Sequence, residues 1–165
     1  MTAQRYRRIF AWFNARPAAK QALRLCQSGS VLAVYLIYLG MLTVLAWQRD
    51  ARLLPVVAAP AFVFLSGTVL RRVINRPRPY ETLHFSPLFP KNTRGKSMPS
   101  RHCFSAAAIA AAAWTVCPPL GAAAVALALL IAGTRVLTGV HYPGDVLAGL
   151  LYGGAAAALI LAILL

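Results

Sequence analysis

Two histidines, one aspartate and several arginines stand in three short polar segments of an otherwise apolar chain, at 71–78, 100–102 and 135–145. The planar guanidinium group of arginine binds phosphate oxygens through paired hydrogen bonds. One histidine can attack phosphorus while another protonates the leaving oxygen. These residue types together indicate phosphoryl chemistry, in which the arginines hold a phosphate group for the histidines.

Asp145 follows His141 by four residues, which is about one helical turn. A carboxylate at that distance can fix the imidazole tautomer, so we predict His141 as the nucleophile and His102 as the general acid. The spacing alone also permits the opposite assignment. Ser100 precedes an apolar run at the place of a helix N-cap, where free N–H groups bind anions. The guanidinium groups available for the phosphate are those of Arg71, Arg72, Arg76, Arg78, Arg101 and Arg135.

The composition is that of a membrane protein. Of 165 residues, 59% are hydrophobic and only 12% are charged, with 17 Lys+Arg against 3 Asp+Glu and a formal net charge of +14. A water-soluble or disordered chain carries far more charge than this. Such a basic balance is common in nucleic-acid-binding proteins. Here, however, 14 of the 17 cations lie in two blocks, 1–24 and 71–101, between long uncharged runs. We therefore expect an integral membrane protein without a nucleic-acid partner.

The uncharged runs predict the membrane spans. They are Leu25–Gln48, Leu53–Leu70, Cys103–Thr134 and Val146–Leu165. A helix needs about 20 apolar residues to cross the hydrocarbon core, and Pro118-Pro119 divides the third run into a helical hairpin. The sequence thus predicts an all-α integral membrane helical bundle of about five transmembrane helices. Its organisation would be a basic N-terminal segment, 1–24, followed by a single membrane domain, 25–165.

The first 24 residues interleave Ile9, Phe10, Trp12 and Phe13 with basic residues. This pattern suits an amphipathic helix on the membrane surface, and it also suits a basic tail that only fixes orientation.

The predicted hairpin brings the three polar segments to the same side of the membrane as the N-terminus. We expect the protein to reside in the plasma (cell) membrane. Whether the three polar segments lie on its inner or its outer face stays open, because the cations that would orient the chain are also needed in the site.

The three polar segments resemble the motifs of the type 2 phosphatidic acid phosphatases, the lipid phosphate phosphatase superfamily that shares its site with vanadium haloperoxidases. The first family motif is Lys, six residues, then Arg-Pro, and here Arg71 is followed after six residues by Arg78-Pro79. The second motif, Pro-Ser-Gly-His, stands here as Pro99-Ser100-Arg101-His102. The third is Ser-Arg, five residues, His, three residues, Asp, which matches Thr134-Arg135, His141 and Asp145. The resemblance covers roughly residues 53–160.

The resemblance implies a phosphatase that uses no metal ion and no cofactor. It implies that His141 is the nucleophile, that Asp145 supports it and that His102 is the acid. The implied phosphate-binding residues are Arg71, Arg78, Ser100 and Arg135. Arg101 replaces the family Gly, and we predict that its side chain adds a charge contact to a second phosphate. The implied substrate is a lipid phosphate or diphosphate, with phosphatidate, phosphatidylglycerophosphate and polyprenyl diphosphate all open.

Two alternatives to a metal-independent phosphatase remain at the sequence level. The chain could be an inactive scaffold that binds anionic lipid headgroups, although the intact His102, His141 and Asp145 argue against it. The same three residues could hold a metal ion, but the surrounding guanidinium groups would repel one. On the last apolar run, Gly149, Gly153 and Ala157 form a stripe of small residues that suits packing inside the bundle better than a homodimer face.

Overall fold

The computed structural model describes residues 1–165 and contains seven helices and no strand. The helices are α1 (Ala3–Asn14), α2 (Pro17–Trp47), α3 (Leu53–Ile74), α4 (Pro79–Thr82), α5 (Arg101–Val116), α6 (Pro118–Leu137) and α7 (Pro143–Leu164). Proline stands in the first turn of α2, α4, α6 and α7, where its missing N–H costs no hydrogen bond. The predicted all-helical class is confirmed.

Four stretches have the length and hydropathy of a membrane span. Three of them are the helices α2, α6 and α7, and the fourth is the stretch Leu53–Thr82, which begins with α3. The sequence predicts about five spans, and the remaining one is α5. This helix has only 16 residues, fewer than the roughly 20 that a span needs, because it ends at Val116 before the paired prolines that begin α6. It lies at the centre of the bundle and packs most extensively against α6 and α7.

Small residues bring α7 against α5. A Cβ atom on Gly153 would collide with the backbone of Phe104, and one on Gly149 would come within 2.8 Å of the Ser100 carbonyl oxygen. Alanines at 106, 108, 110, 112 and 113 of α5 are buried, so most of this helix is enclosed by its neighbours. The small-residue stripe of α7 is therefore used inside the bundle, where it sets the distance between two helices that carry site residues.

The N-terminal residues form an amphipathic helix. Tyr6 and Phe10 of α1 are buried with Leu23 and Leu88, while the arginines and Trp12 of α1 are exposed. The sequence allows either an amphipathic helix or a basic tail for this segment, and the structure has the helix. It reaches from the start of α2 to the loop that follows α4, and so it lies at the end of the bundle where the polar segments meet.

Candidate active site

The three polar segments meet around a cavity of about 240 Å³ at one end of the bundle. Its lining is Thr68, Arg71, Arg72, Arg78, Lys91, Thr93, Lys96, Arg101, His102, Arg135, Val140 and His141. Seven of these side chains are basic and none is acidic, so the cavity attracts anions strongly. A larger cavity of about 580 Å³ between α5, α6 and α7 has no titratable side chain in its lining and offers no chemistry.

Two backbone carbonyls of the loop after α4 bind two arginines of the first segment, Arg71 and Arg78. Arg71, at the end of α3, donates from Nε to the Lys96 carbonyl oxygen at 3.1 Å. Arg78 donates from Nε to the Gly95 carbonyl oxygen at 3.1 Å and from Nη1 to that of Val140 at 3.3 Å. Gly95 has a φ of +57°, and a Cβ there would lie 2.5 Å from the Asn75 side-chain oxygen. The loop thus needs glycine at this position in order to place its carbonyls on both guanidinium groups.

Ser100 and Arg135 each have a buried polar atom without a hydrogen-bond partner in the protein. These atoms are the Ser100 hydroxyl oxygen and Arg135 Nε. Ser100 is the N-cap residue of α5 by position, as predicted, yet its hydroxyl caps no backbone N–H, and its own N–H donates to the Asp145 carbonyl oxygen at 2.9 Å. Unpaired buried polar groups are costly, so the place of Arg135 in the wall of a basic cavity favours a role in binding an anion, whereas Ser100 is not among the residues that line this cavity.

The two predicted histidines both line this cavity. His102 lies in the first turn of α5, and His141 lies in the loop between α6 and α7 with only 3% of its surface exposed. Burial lowers the pKa of His141, and the nearby charges of Arg78 and Arg71 lower it further against the opposing effect of Asp145. The ring of His141 is therefore neutral at physiological pH, which is the form that a nucleophile requires.

Asp145 lies behind His141 and away from the cavity. Its carboxylate accepts hydrogen bonds from Arg76 Nη1 at 2.9 Å, from the Ser97 hydroxyl at 2.5 Å and from the Tyr142 N–H at 2.9 Å. His141 Nδ1 is 3.8 Å from the nearer carboxylate oxygen, but only 3.3 Å from the Ser97 hydroxyl oxygen. The sequence predicts a direct contact between His141 and Asp145, whereas in the structure the Ser97 hydroxyl lies between them.

The N-terminal helix also contacts the site. Tyr6 is completely buried, and its hydroxyl donates to the His141 carbonyl oxygen at 3.5 Å. Burial, with smaller effects of Tyr142 and Asp145, raises the pKa of Tyr6 to about 12, so this hydroxyl stays protonated. The ring of Tyr6 packs against Phe85 at a centroid distance of 4.9 Å. Because of these contacts, α1 supports the loop that carries His141.

Sequence reasoning names most of the charged cavity residues, but it misses Ser97 and Tyr6 and gives Arg76 a different role. Ser97 lies three positions before Ser100, and its place beside the second motif is the signal that could have identified it. Arg76 is expected to face the phosphate with the other arginines, whereas it pairs with Asp145 and stacks on the Tyr142 ring at 4.7 Å. Tyr6 gives no signal in the sequence, because nothing indicates a contact across 135 positions.

Residues 52–165, which include all three polar segments, match the PAP2 superfamily, and the chain belongs to this family. The helical bundle agrees with that membership: the chain aligns over 98% of its length with the crystal structure of Aquifex aeolicus LpxE, with a TM-score of 0.74 and 26% identity. It also aligns over 96% with a transmembrane PAP2 type phosphatidylglycerolphosphate phosphatase from Bacillus subtilis, with a TM-score of 0.60. That second likeness, at 22% identity, concerns the fold alone.

Among curated proteins, the chain is 38% identical over 98 residues to a lipid A 1-phosphatase from Rhizobium etli. It is 37% identical over 97 residues to a lipid A 1-phosphatase from Rhizobium johnstonii. These alignments cover 56% of the chain, and they cover 42% and 39% of the two relatives. The matched part thus spans about two fifths of the length of these relatives.

Proposed function

We propose that this chain hydrolyses a lipid phosphate ester, without a metal ion, through a phosphohistidine at His141. The observation that supports this most directly is a neutral, buried histidine at the wall of a cavity with seven basic side chains and no acid. Those cations would bind the phosphate and stabilise the charge that develops in the transition state. They would also repel a divalent metal ion, and the Asp145 carboxylate is already occupied by three donors.

The proposed reaction has two steps. In the first, His141 Nε2 forms a bond to phosphorus, the bond from phosphorus to the ester oxygen breaks, and that oxygen takes a proton from the protonated form of His102. The negative charge of the bound phosphate favours this protonated form, against the opposing effects of burial and of the nearby Arg135. In the second, His102 takes a proton from water while the water oxygen attacks phosphorus. The bond from phosphorus to Nε2 breaks, inorganic phosphate leaves and His141 is restored.

Binding of the phosphate is assigned to Arg71, Arg78, Ser100 and Arg135. The two buried, unpaired polar atoms of Ser100 and Arg135 would find partners in phosphate oxygens. Arg71 and Arg78 keep N–H groups free beside those bonded to the loop carbonyls. Arg101 lines the cavity and is exposed, so its side chain can reach a second phosphate without leaving its helix.

For the substrate class, we propose a membrane lipid that carries a terminal phosphate. The relatives named lipid A 1-phosphatase make lipid A with a 1-phosphate the first substrate to test. Phosphatidate, phosphatidylglycerophosphate and polyprenyl diphosphate are the other candidates. Four membrane-length helices below the cavity suit any of these, because the lipid tails can stay in the bilayer while the headgroup reaches the basic residues.

The test is phosphate release from a panel of these lipids by purified protein in detergent with excess EDTA. Wild type is compared with His141→Ala and with His84→Ala, in which the replaced histidine is exposed and lies outside the cavity. We expect EDTA-resistant release that is lost in His141→Ala and kept in His84→Ala. No release from any lipid would favour a scaffold that binds anionic headgroups. Release that EDTA abolishes would contradict the metal-independent mechanism.

A further inference from the structure

Ser97 is fully buried between His141, the proposed nucleophile, and Asp145, the carboxylate proposed to support it. Its hydroxyl oxygen is 2.5 Å from Asp145 Oδ2 and 3.3 Å from His141 Nδ1. The direct separation of His141 Nδ1 and Asp145 Oδ2, 3.8 Å, exceeds the length of a hydrogen bond. Any influence of the carboxylate on the ring by hydrogen bonding therefore passes through the Ser97 hydroxyl.

The direction of each hydrogen bond follows from the donors available. A serine hydroxyl has one proton, and an ionised carboxylate can only accept. Ser97 therefore donates its only hydroxyl proton in the short hydrogen bond to Asp145. The Ser97 oxygen can then only accept a hydrogen bond from His141. His141 must then carry its proton on Nδ1 and have the lone pair on Nε2. That is the tautomer that the attack on phosphorus requires.

Further contacts hold Ser97 and Asp145 in this arrangement. The Ser97 N–H donates to the Arg76 carbonyl oxygen at 2.9 Å, and the Arg76 side chain donates to the other carboxylate oxygen of Asp145 at 2.9 Å. The Tyr142 N–H donates to the same oxygen that accepts from Ser97. Arg76 thus binds both partners of the short contact, through its backbone to Ser97 and through its side chain to Asp145.

We propose that Ser97 is a positioning residue that connects Asp145 to His141 and selects the Nδ1–H tautomer of the nucleophile. The assignment of His141 as the nucleophile rests on the proposed function, whereas the tautomer itself does not. Ser97 does not line the cavity, so it acts on the substrate only through the imidazole. Its loss should therefore change the rate of the chemical step and leave substrate binding nearly unaltered.

Two measurements test this proposal. The first is the phosphate-release rate of Ser97→Ala, with Ser97→Thr as the variant that keeps a hydroxyl. Ser86→Ala is the matched control, because Ser86 is exposed in the same loop. We expect kcat to fall roughly 10- to 100-fold in Ser97→Ala, as for other residues that orient a functional histidine. KM should stay within about twofold, Ser97→Thr should recover most of the rate, and Ser86→Ala should match wild type.

The second measurement needs no substrate. Nitrogen NMR of protein labelled at its three histidines, in detergent, reports the tautomer of each ring, and single replacements of His84 and His102 assign the signals. We expect the Nδ1–H tautomer at His141 in wild type and a mixture in Ser97→Ala. Full activity in folded Ser97→Ala, a raised KM with unchanged kcat, or the opposite tautomer in wild type would each overturn the proposal. A wild type that releases no phosphate but shows the Nδ1–H tautomer would contradict the proposed function alone.

Discussion

The Tyr6 hydroxyl donates a hydrogen bond to the backbone carbonyl of His141, across 135 positions of the chain. Tyr6 belongs to α1, outside residues 52–165 that match the family, whereas His141 belongs to the third motif. The N-terminal helix is therefore part of the surroundings of the site, because one of its buried side chains supports the loop that carries His141.

Replacing Tyr6 separates the hydrogen bond from the packing. Tyr6→Phe removes a long hydrogen bond worth about 1 kcal/mol, so we expect at most a roughly fivefold fall in kcat and little change in Tm. Tyr6→Ala also removes a fully buried ring, and such a loss typically lowers the free energy of unfolding by about 3–5 kcal/mol. This variant should therefore show a strongly lowered Tm and activity. Trp12→Ala, on the exposed face of the same helix, is the control. Equal effects of Tyr6→Ala and Trp12→Ala would contradict a supporting role for α1.

His102 should be needed in both steps of the reaction, and the choice of leaving group separates the steps. With a lipid phosphate whose leaving group is an alcohol, His102→Asn should lose at least 100-fold in rate. With an aryl phosphate, which leaves without a proton, the first step should survive and the phosphoenzyme should accumulate. The phosphoenzyme is measured as the label that stays on the protein when the reaction with labelled aryl phosphate is quenched in alkali, since phosphohistidine is stable to base. Labelling of the His141→Asn variant would show that another residue is the nucleophile.

The exposed Arg101 should discriminate between substrates with one and two phosphates. If its guanidinium contacts a second phosphate, Arg101→Gly should slow diphosphate hydrolysis roughly tenfold or more relative to monophosphate hydrolysis, as expected for a charged hydrogen bond. Arg49→Gly removes the same charge outside the cavity, at a residue whose φ of 51° suits glycine. The comparison is kcat/KM for a matched pair of lipids. An equal effect on the two lipids would show that Arg101 does not contact a second phosphate.

Adjacent glycines of α7 offer a test of helix packing. Gly153→Ala forces a methyl group against the backbone of Phe104, and we expect a loss of about 1–3 kcal/mol in the free energy of unfolding. Gly154→Ala adds the same methyl group where no atom lies within 4 Å, so it should be neutral or slightly stabilising because alanine favours a helix. Thermal unfolding in detergent compares the two variants. The same Tm for both would mean that α5 and α7 do not pack as closely as described.

The activity should persist to lower pH than an exposed histidine would allow. The neutral ring of His141 is the proposed reactive form, and burial lowers its pKa in the free protein from the ordinary value of 6.5. As pH falls, the half-maximal value of kcat/KM on the acid side should therefore lie below 6.5. The profile of kcat/KM against pH, measured at lipid concentrations well below KM, reports groups in the free enzyme. A half-maximal rate on the acid side at or above pH 6.5 would contradict the assignment of a buried, neutral nucleophile.

The bundle and most of the cavity are predictable from the sequence, because uncharged runs and paired prolines determine where helices cross and turn. The same reasoning places Arg71, Arg78, His102 and Arg135 at one end of the molecule. It counts α5 as a span, although the paired prolines leave this helix only 16 residues, fewer than the roughly 20 that a span needs. It also fails for Ser97, whose position between two partners depends on side-chain geometry that residue spacing does not contain.

Since the basic cavity lies at the end of the bundle where α1 lies, one molecule with the proposed activity would serve a single leaflet of the bilayer. Its substrate would arrive by lateral diffusion, and the rate would follow the mole fraction of that lipid in the leaflet rather than its concentration in the whole sample. Inert lipid would then act as a diluent. Sustained turnover would leave the two leaflets with different headgroup charge, for as long as lipids cross the bilayer more slowly than they are dephosphorylated.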